Sequence, residues 1–106
     1  MNQKFTNLTF IIQKECNFGY VVYISGETEE FGEWDINRAI QMKWENGDYW
    51  TAELPLQIYP ADRRVIQYKY VIAEEYQPKN CTWEKNVRQL HCEPLINKKK
   101  YLLEEF

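Results

Sequence analysis

Val65-Ile66-Gln67-Tyr68-Lys69-Tyr70-Val71-Ile72 alternates in a way that only a strand explains. Successive side chains of a strand point to opposite faces, so Ile66, Tyr68, Tyr70 and Ile72 share one side and Val65, Gln67, Lys69 and Val71 the other. The larger apolar set is expected to face a core. Lys69 is then expected to point outwards beside Gln67.

The same period continues upstream. Tyr49 to Leu54 reads as a strand stopped by Pro55, and the turn signal Asn46-Gly47-Asp48 joins it as a hairpin to a third strand over Ala39 to Trp44. Gly26 to Asp35 mixes Gly, Glu and Thr, which suits a long connection, with one short helical turn within Glu27 to Glu33. Tyr20 to Ser25 is expected to be the second strand and Glu15 to Gly19 a turn. Leu8, Phe10 and Ile12 alternate with Thr9, Ile11 and Gln13 in the first strand. Downstream, Glu74 to Asn80 is a polar loop containing Pro78. Short strands follow around Thr82, over Val87 to Leu90 and over Lys100 to Leu103. Seven or eight short strands, with turn signals about every ten residues, predict an all-β chain folded as an antiparallel β-sandwich. The whole of 1–106 reads as a single module with its core at about 5–103, its last stretch included if Tyr101 to Leu103 pairs as an edge strand. Whether the module stands alone or is a piece of a larger protein is left open.

Composition narrows the function. A chain of 106 residues with 44% hydrophobic content has enough apolar surface for one core, and 27% charged residues do not predict disorder. Aromatic residues make up 16%, more than such a core needs, so some rings are expected at the surface, where apolar patches mark binding sites. The formal net charge of −3 leaves no basic footprint for nucleic acid. The one cationic run, Lys98-Lys99-Lys100, reads as the solvated flank of the last strand. No stretch approaches a membrane span, and the N-terminal residues lack the apolar centre of a signal peptide, which makes the cytoplasm the expected location. Cys16, Cys81 and Cys92 have no metal spacing. Free thiols in a reducing compartment are the simplest account. A Cys81–Cys92 disulfide is the alternative, since both flank a segment that can be drawn as a hairpin.

Two of the four tryptophans stand in polar company. Trp34 lies in a loop between Glu33 and Asp35, and Trp83 is followed by Glu84, Lys85 and Asn86. A flat indole suits the apolar C–H face of a sugar ring, while neighbouring carboxylates, amides and an ammonium suit its rim of hydroxyls. Each tryptophan also has a plainer reading, Trp34 as core at one end of the sandwich and Trp83 as a packed edge-strand residue. A lysine on an exposed strand face is usually only solvated, so the weight of Lys69 comes from the company of Trp34 and Trp83. If the Trp83 segment bends, Glu84 and Asn86 reach the rim of a stacked sugar. Catalysis finds little support. The single histidine, His91, is expected to be structural, and acid pairs such as Glu33 with Glu84 can be nominated without any reason to prefer one. No metal or cofactor motif is present.

At these residues the chain resembles the starch-binding domains of carbohydrate-binding module family 20. The resemblance rests on Gly26 to Trp34 (GETEEFGEW), Trp50 to Pro55 (WTAELP), Tyr68-Lys69-Tyr70 and Trp83 to Arg88 (WEKNVR), which stand in the family's order over roughly residues 5 to 103. It implies an immunoglobulin-like β-sandwich that binds α-1,4-glucans such as starch, glycogen, maltooligosaccharides and cyclodextrin. The family's first glucan site carries over to Trp34, Lys69 and Trp83, with Glu84 and Asn86 beside them. The family usually has an asparagine immediately before the arginine, where this chain has Val87. A second glucan site has Phe18 and Trp44 as its nearest candidates, and Trp50 is expected to pack in the sandwich. A non-catalytic module that brings an appended or associated enzyme to the polysaccharide is the implied role. The rival is a sandwich of the same kind whose exposed aromatics contact a protein.

Overall fold

The computed structural model describes residues 4–58, 63–92 and 100–105. The described chain is all-β, two sheets packed face to face. One sheet has the order β4-β5-β1-β9, built from β1 (Lys4–Gln13), β4 (Lys43–Glu45), β5 (Tyr49–Ile58) and β9 (Lys100–Glu105). The other has the order β3-β2-β6-β7, with β2 (Tyr20–Gly26), β3 (Ile40–Gln41), β6 (Val65–Glu74) and β7 (Cys81–Trp83), and β8 (Arg88–His91) also pairs with β6.

Between the sheets meet Leu8, Phe10 and Ile12 of β1, Val22 and Ile24 of β2, and Ile66, Tyr68 and Tyr70 of β6, all at most 2% exposed. Burying each such side chain is worth ~1.5–3 kcal/mol, so this layer sets the register of both sheets. Trp50 joins it as expected, 5% exposed with its Nε1–H donating to the carbonyl of Lys14 at 2.8 Å.

Several elements depart from the reading of the sequence, each for a physical reason. The expected third strand divides in two. Ile40 pairs with Ile24 in one sheet, Lys43 pairs with Thr51 in the other, and the chain crosses between them at Met42, which is buried and donates its N–H to the carbonyl of Val22 at 2.9 Å. Pro55 does not stop β5, which runs on to Ile58. Pro55 sits opposite Asn7 of β1, and β4 covers only Tyr49 to Thr51, so the outer edge of β5 is open where the proline lacks its N–H. β9 joins β1 in parallel, Leu8 opposite Lys100 and Gln13 opposite Glu105, so the last strand does belong to the sandwich although its pairing is not antiparallel. The residues 98 and 99 of the lysine run lie outside the described residues.

Cys81 and Cys92 do not flank a hairpin. β7 and β8 lie end to end along the same strand, β6, and none of the three cysteines is in a disulfide. β6 itself buries Ile66, Tyr68 and Tyr70 on its inner face, as its alternation requires, but Val71 and Ala73 are buried as well and Ile72 is only half-buried. The outer face at Val71 is covered from both sides, since Val71 stands in register between Tyr23 of β2 and Trp83 of β7. Cross-strand partners share a face, so these large rings roof the smaller residue between them.

Candidate functional site

The loop after β2 is built to hold one tryptophan in an unusual backbone conformation. Its base is tied to β6: Glu27 donates its N–H to the carbonyl of Gln67 at 3.0 Å, and Gln67 donates its N–H to Glu27 Oε1 at 2.9 Å. A short 3-10 turn, Glu29–Phe31, then drops Phe31 into the core. The Phe31 ring lies over Tyr68 (5.9 Å, 22°) and edge-on to Phe10 (6.0 Å, 88°). Gly32 follows with φ +83°, and a Cβ there would lie 2.4 Å from the carbonyl oxygen of Arg38, so no other residue fits.

Glu33 and Trp34 come next, with φ of 52° and 62°. Left-handed backbone at non-glycine residues costs ~1–3 kcal/mol each and persists only where the surroundings fix it. Here Trp34 donates its N–H to the carbonyl of Gly26 at 2.9 Å and Glu33 donates to that of Thr28 at 3.0 Å. Asp35 then accepts the N–H of Asn37 through its side chain at 3.0 Å, starting a second 3-10 turn, Ile36–Arg38. The outcome is an indole left 38% exposed at the sandwich surface.

The opposite wall comes from an interruption between β7 and β8. Val71 is opposite Trp83, and Tyr68 is opposite Arg88, so the four residues Glu84 to Val87 stand against only Lys69 and Tyr70. The surplus bulges outwards. Such a bulge threatens to leave Tyr70 without a ladder partner, a loss of ~1–3 kcal/mol for a buried amide. Glu84 fills the gap twice. Its N–H donates to the carbonyl of Tyr70 at 3.1 Å, and its Oε1 accepts the N–H of Tyr70 at 2.7 Å. The same carboxylate receives Arg88 as a fork, Nε at 2.9 and 3.1 Å and Nη2 at 2.8 Å, with the guanidinium 5.0 Å from the centre of the Tyr70 ring.

Trp34, Lys69, Trp83 and Val87 line a shallow, open groove of about 390 Å³ on the outer face of this sheet. The two indoles stand with centroids 6.3 Å apart and planes inclined by 58°. Lys69, half-buried, has no ion-pair partner among the described residues. Its ammonium therefore has its donors available to a ligand lying across the rings.

Of the residues singled out in the sequence, Trp34, Lys69 and Trp83 come together around this groove. Glu84 does not reach its rim: the side chain is 10% exposed and its oxygens are occupied by Arg88 and Tyr70. Asn86 stands exposed on the bulge. Phe18 and Trp44 lie elsewhere, Phe18 fully exposed in the loop after β1 and Trp44 49% exposed on β4, with its Nε1–H donating to Asp48 Oδ1 at 3.1 Å. The loop that carries Phe18 adjoins the turn after β4, since Lys14 donates its N–H to the carbonyl of Asp48 at 2.9 Å. Each carboxylate of the nominated acid pair has its own guanidinium partner, Glu33 meeting Arg38 at 2.9 Å and Glu84 meeting Arg88 at 2.8 Å. His91 is exposed on β8 opposite Val65, and no cluster of three metal-binding side chains occurs among the described residues. Val87 was the residue missed as a groove wall. Its signal in the sequence was its place before Arg88, where the resembled family has an amide.

The sequence pattern of the family described as "Starch binding domain" matches residues 5–94. Solved structures share the fold. One is the gamma-CGTase from alkalophilic Bacillus clarkii, with a TM-score of 0.80 and 18% identity over 96% of this chain and 15% of that one. Another is the glycoside hydrolase family 15 glucoamylase from Hypocrea jecorina, with a TM-score of 0.75 and 20% identity over 95% of this chain and 16% of that one. A third is the family 20 CBM of the maltotetraose-forming amylase from Pseudomonas saccharophila, with a TM-score of 0.74 and 18% identity over 95% of this chain and 100% of that one. The chain thus spans a small part of the two enzymes and the whole of the separate module. No curated protein sequence is significantly similar to it.

Proposed function

The chain belongs to the starch-binding domain family, non-catalytic modules that bind carbohydrate, and from that premise we propose that its groove stacks an α-1,4-glucan against Trp34 and Trp83. The observation that carries the proposal is the inclination of the two rings, 58° at 6.3 Å. A ribbon-like β-1,4-glucan presents sugar faces that are nearly parallel, whereas an α-1,4-linked chain coils and turns successive rings relative to one another. Two inclined platforms fit the coil. Lys69 donates to hydroxyls at the sugar rim, and Val87 closes the groove with an apolar wall against the C–H face.

The expected affinity is modest. Each partly exposed indole hides on the order of 100 Å² of ligand and ring surface, worth ~2–3 kcal/mol. Two rings and a few hydrogen bonds, less the cost of ordering the sugar, leave ~5 kcal/mol and a Kd on the order of 10⁻⁴ M. Useful retention on a polymer then comes from its many repeated binding positions. The role that follows is to hold an appended or associated enzyme on starch or glycogen, and the cytoplasm is its proposed location. Phe18 and Trp44 form the proposed second contact, at the pole where the Phe18 loop adjoins the turn after β4.

Titration with maltoheptaose and β-cyclodextrin, followed by tryptophan fluorescence and repeated with cellohexaose, tests the reading. Saturation by the α-glucans alone supports it. Equal saturation by cellohexaose, or no response to any of them at millimolar sugar, overturns it.

A further inference from the structure

We propose that Glu84 and Arg88 are positioning residues: a carboxylate–guanidinium clamp that closes the bulge and so sets where Trp83 and Val87 stand in the groove. The two groove walls lie next to the clamp in the chain, Trp83 immediately before Glu84 and Val87 immediately before Arg88. The clamp ties both ends of the bulge to one backbone amide, that of Tyr70, on the strand that also carries Lys69.

The chemistry of the pair matches that task. The carboxylate accepts from Tyr70 N–H at 2.7 Å and from two guanidinium nitrogens at 2.8 to 3.1 Å, which fixes its plane as well as its position. The side chains of Glu84 and Arg88 are 10% and 21% exposed, so water competes little for them. The Arg88 guanidinium also lies 5.0 Å from the centre of the Tyr70 ring, a contact that a planar cation makes well and an ammonium makes differently. Without the carboxylate clamp, the bulge is tied to β6 by the Glu84 N–H, which donates to the Tyr70 carbonyl at 3.1 Å. Trp83 is held from one side by pairing with Val71, so a loosened bulge turns its ring relative to Trp34.

The ligand named for this groove rests on the glucan reading above, but the clamp is tested first without ligand. Two indoles 6.3 Å apart and inclined by 58° couple their transitions and give a paired positive and negative band in circular dichroism, assigned by its loss in Trp34→Phe. Glu84→Gln keeps an acceptor for Tyr70 N–H and removes the charge, and Arg88→Lys keeps the charge and removes the fork. Both are mild enough to be compared as folded proteins by thermal melting. The expected result is a weakened couplet in both variants and a loss of maltoheptaose affinity of about tenfold. A parental couplet and parental affinity in folded Glu84→Gln and Arg88→Lys overturn the proposal. If Arg88→Lys does not fold, Glu84→Gln decides alone. If the parent binds no glucan, the glucan reading fails and the couplet alone judges the clamp.

Discussion

Trp34 and Trp83 meet ring against ring at 6.3 Å although they are fixed by separate devices. Trp34 is held by a strained loop whose anchor, Phe31, lies in the core. Trp83 is held in register beside Val71, at the edge of a bulge that Glu84 and Arg88 close. The groove is therefore a meeting of two independently supported walls, and each can be perturbed without the other.

Alanine in place of either tryptophan is expected to weaken binding of maltoheptaose by about 30-fold, the loss of ~2 kcal/mol of stacking. The two variants are expected to differ in stability. Trp83→Ala uncovers Val71 and lowers the urea midpoint, whereas Trp34→Ala leaves it nearly unchanged because that ring is 38% exposed. Calorimetric titration with parallel urea unfolding checks both. Parental affinity in the two variants removes the groove from the binding site.

Gly32→Ala tests the loop rather than the rings. With φ at +83° and only 2.4 Å between the added Cβ and the Arg38 carbonyl oxygen, the substitution is expected to destabilise the fold by at least ~2 kcal/mol. Since Gly32 precedes the left-handed pair Glu33 and Trp34, glucan affinity is expected to fall with stability. Equilibrium urea unfolding without sugar gives the stability, and the shift that added maltoheptaose produces gives the affinity.

Lys69→Met is expected to reduce affinity by about tenfold through the loss of charged-donor hydrogen bonds, and Val87→Ala by only about threefold through lost apolar contact. Because the sugar is neutral, the affinity of the parent is expected to change little with added salt. A steep salt dependence in the same titration argues for an anionic ligand instead.

Tyr23, under the outer face of the second sheet, supplies a pH test that does not involve sugar. Burial raises its phenol above the ordinary 10.0, and the charge of Glu75 adds to the rise. A phenol that ionises later in the folded protein than in the unfolded one stabilises fully below the unfolded value and loses that contribution as pH climbs through the folded value. The difference in urea midpoint between the parent and Tyr23→Phe is therefore expected to shift against the parent as the pH rises above the ordinary phenol value of 10.0. A difference constant over that range shows that Tyr23 is not shielded from solvent.

The alternation in Val65 to Ile72 was legible because a strand with one covered face leaves a period of two. It did not reveal that Val71 and Ala73 are buried too, because their cover comes from neighbouring strands: Tyr23 and Trp83 stand beside Val71, and Val21 and Cys81 beside Ala73. The same limit explains the third strand: Ala39 to Trp44 has strand-like residues throughout, but the crossing at Met42 depends on which sheet each half pairs with. Trp34, Lys69 and Trp83 could be picked out because rings and an ammonium in polar company are unusual. The inward turn of Glu84 could not, since it answers a mismatch in pairing that exists only once β7 and β8 lie along β6.

The parallel pairing of β1 with β9 has a mechanical consequence. Lys4 begins β1 at one end of its sheet, and Glu105 ends β9 beside Gln13 at the other. A pull applied between those two points runs along both strands in opposite senses. The bonds that join them over six paired positions are then loaded together in shear, not opened one after another as in an unzipping hairpin. Stretched along that line, the sandwich resists as a unit, and the groove lined by Trp34 and Trp83 on the other sheet stays out of the path of the force.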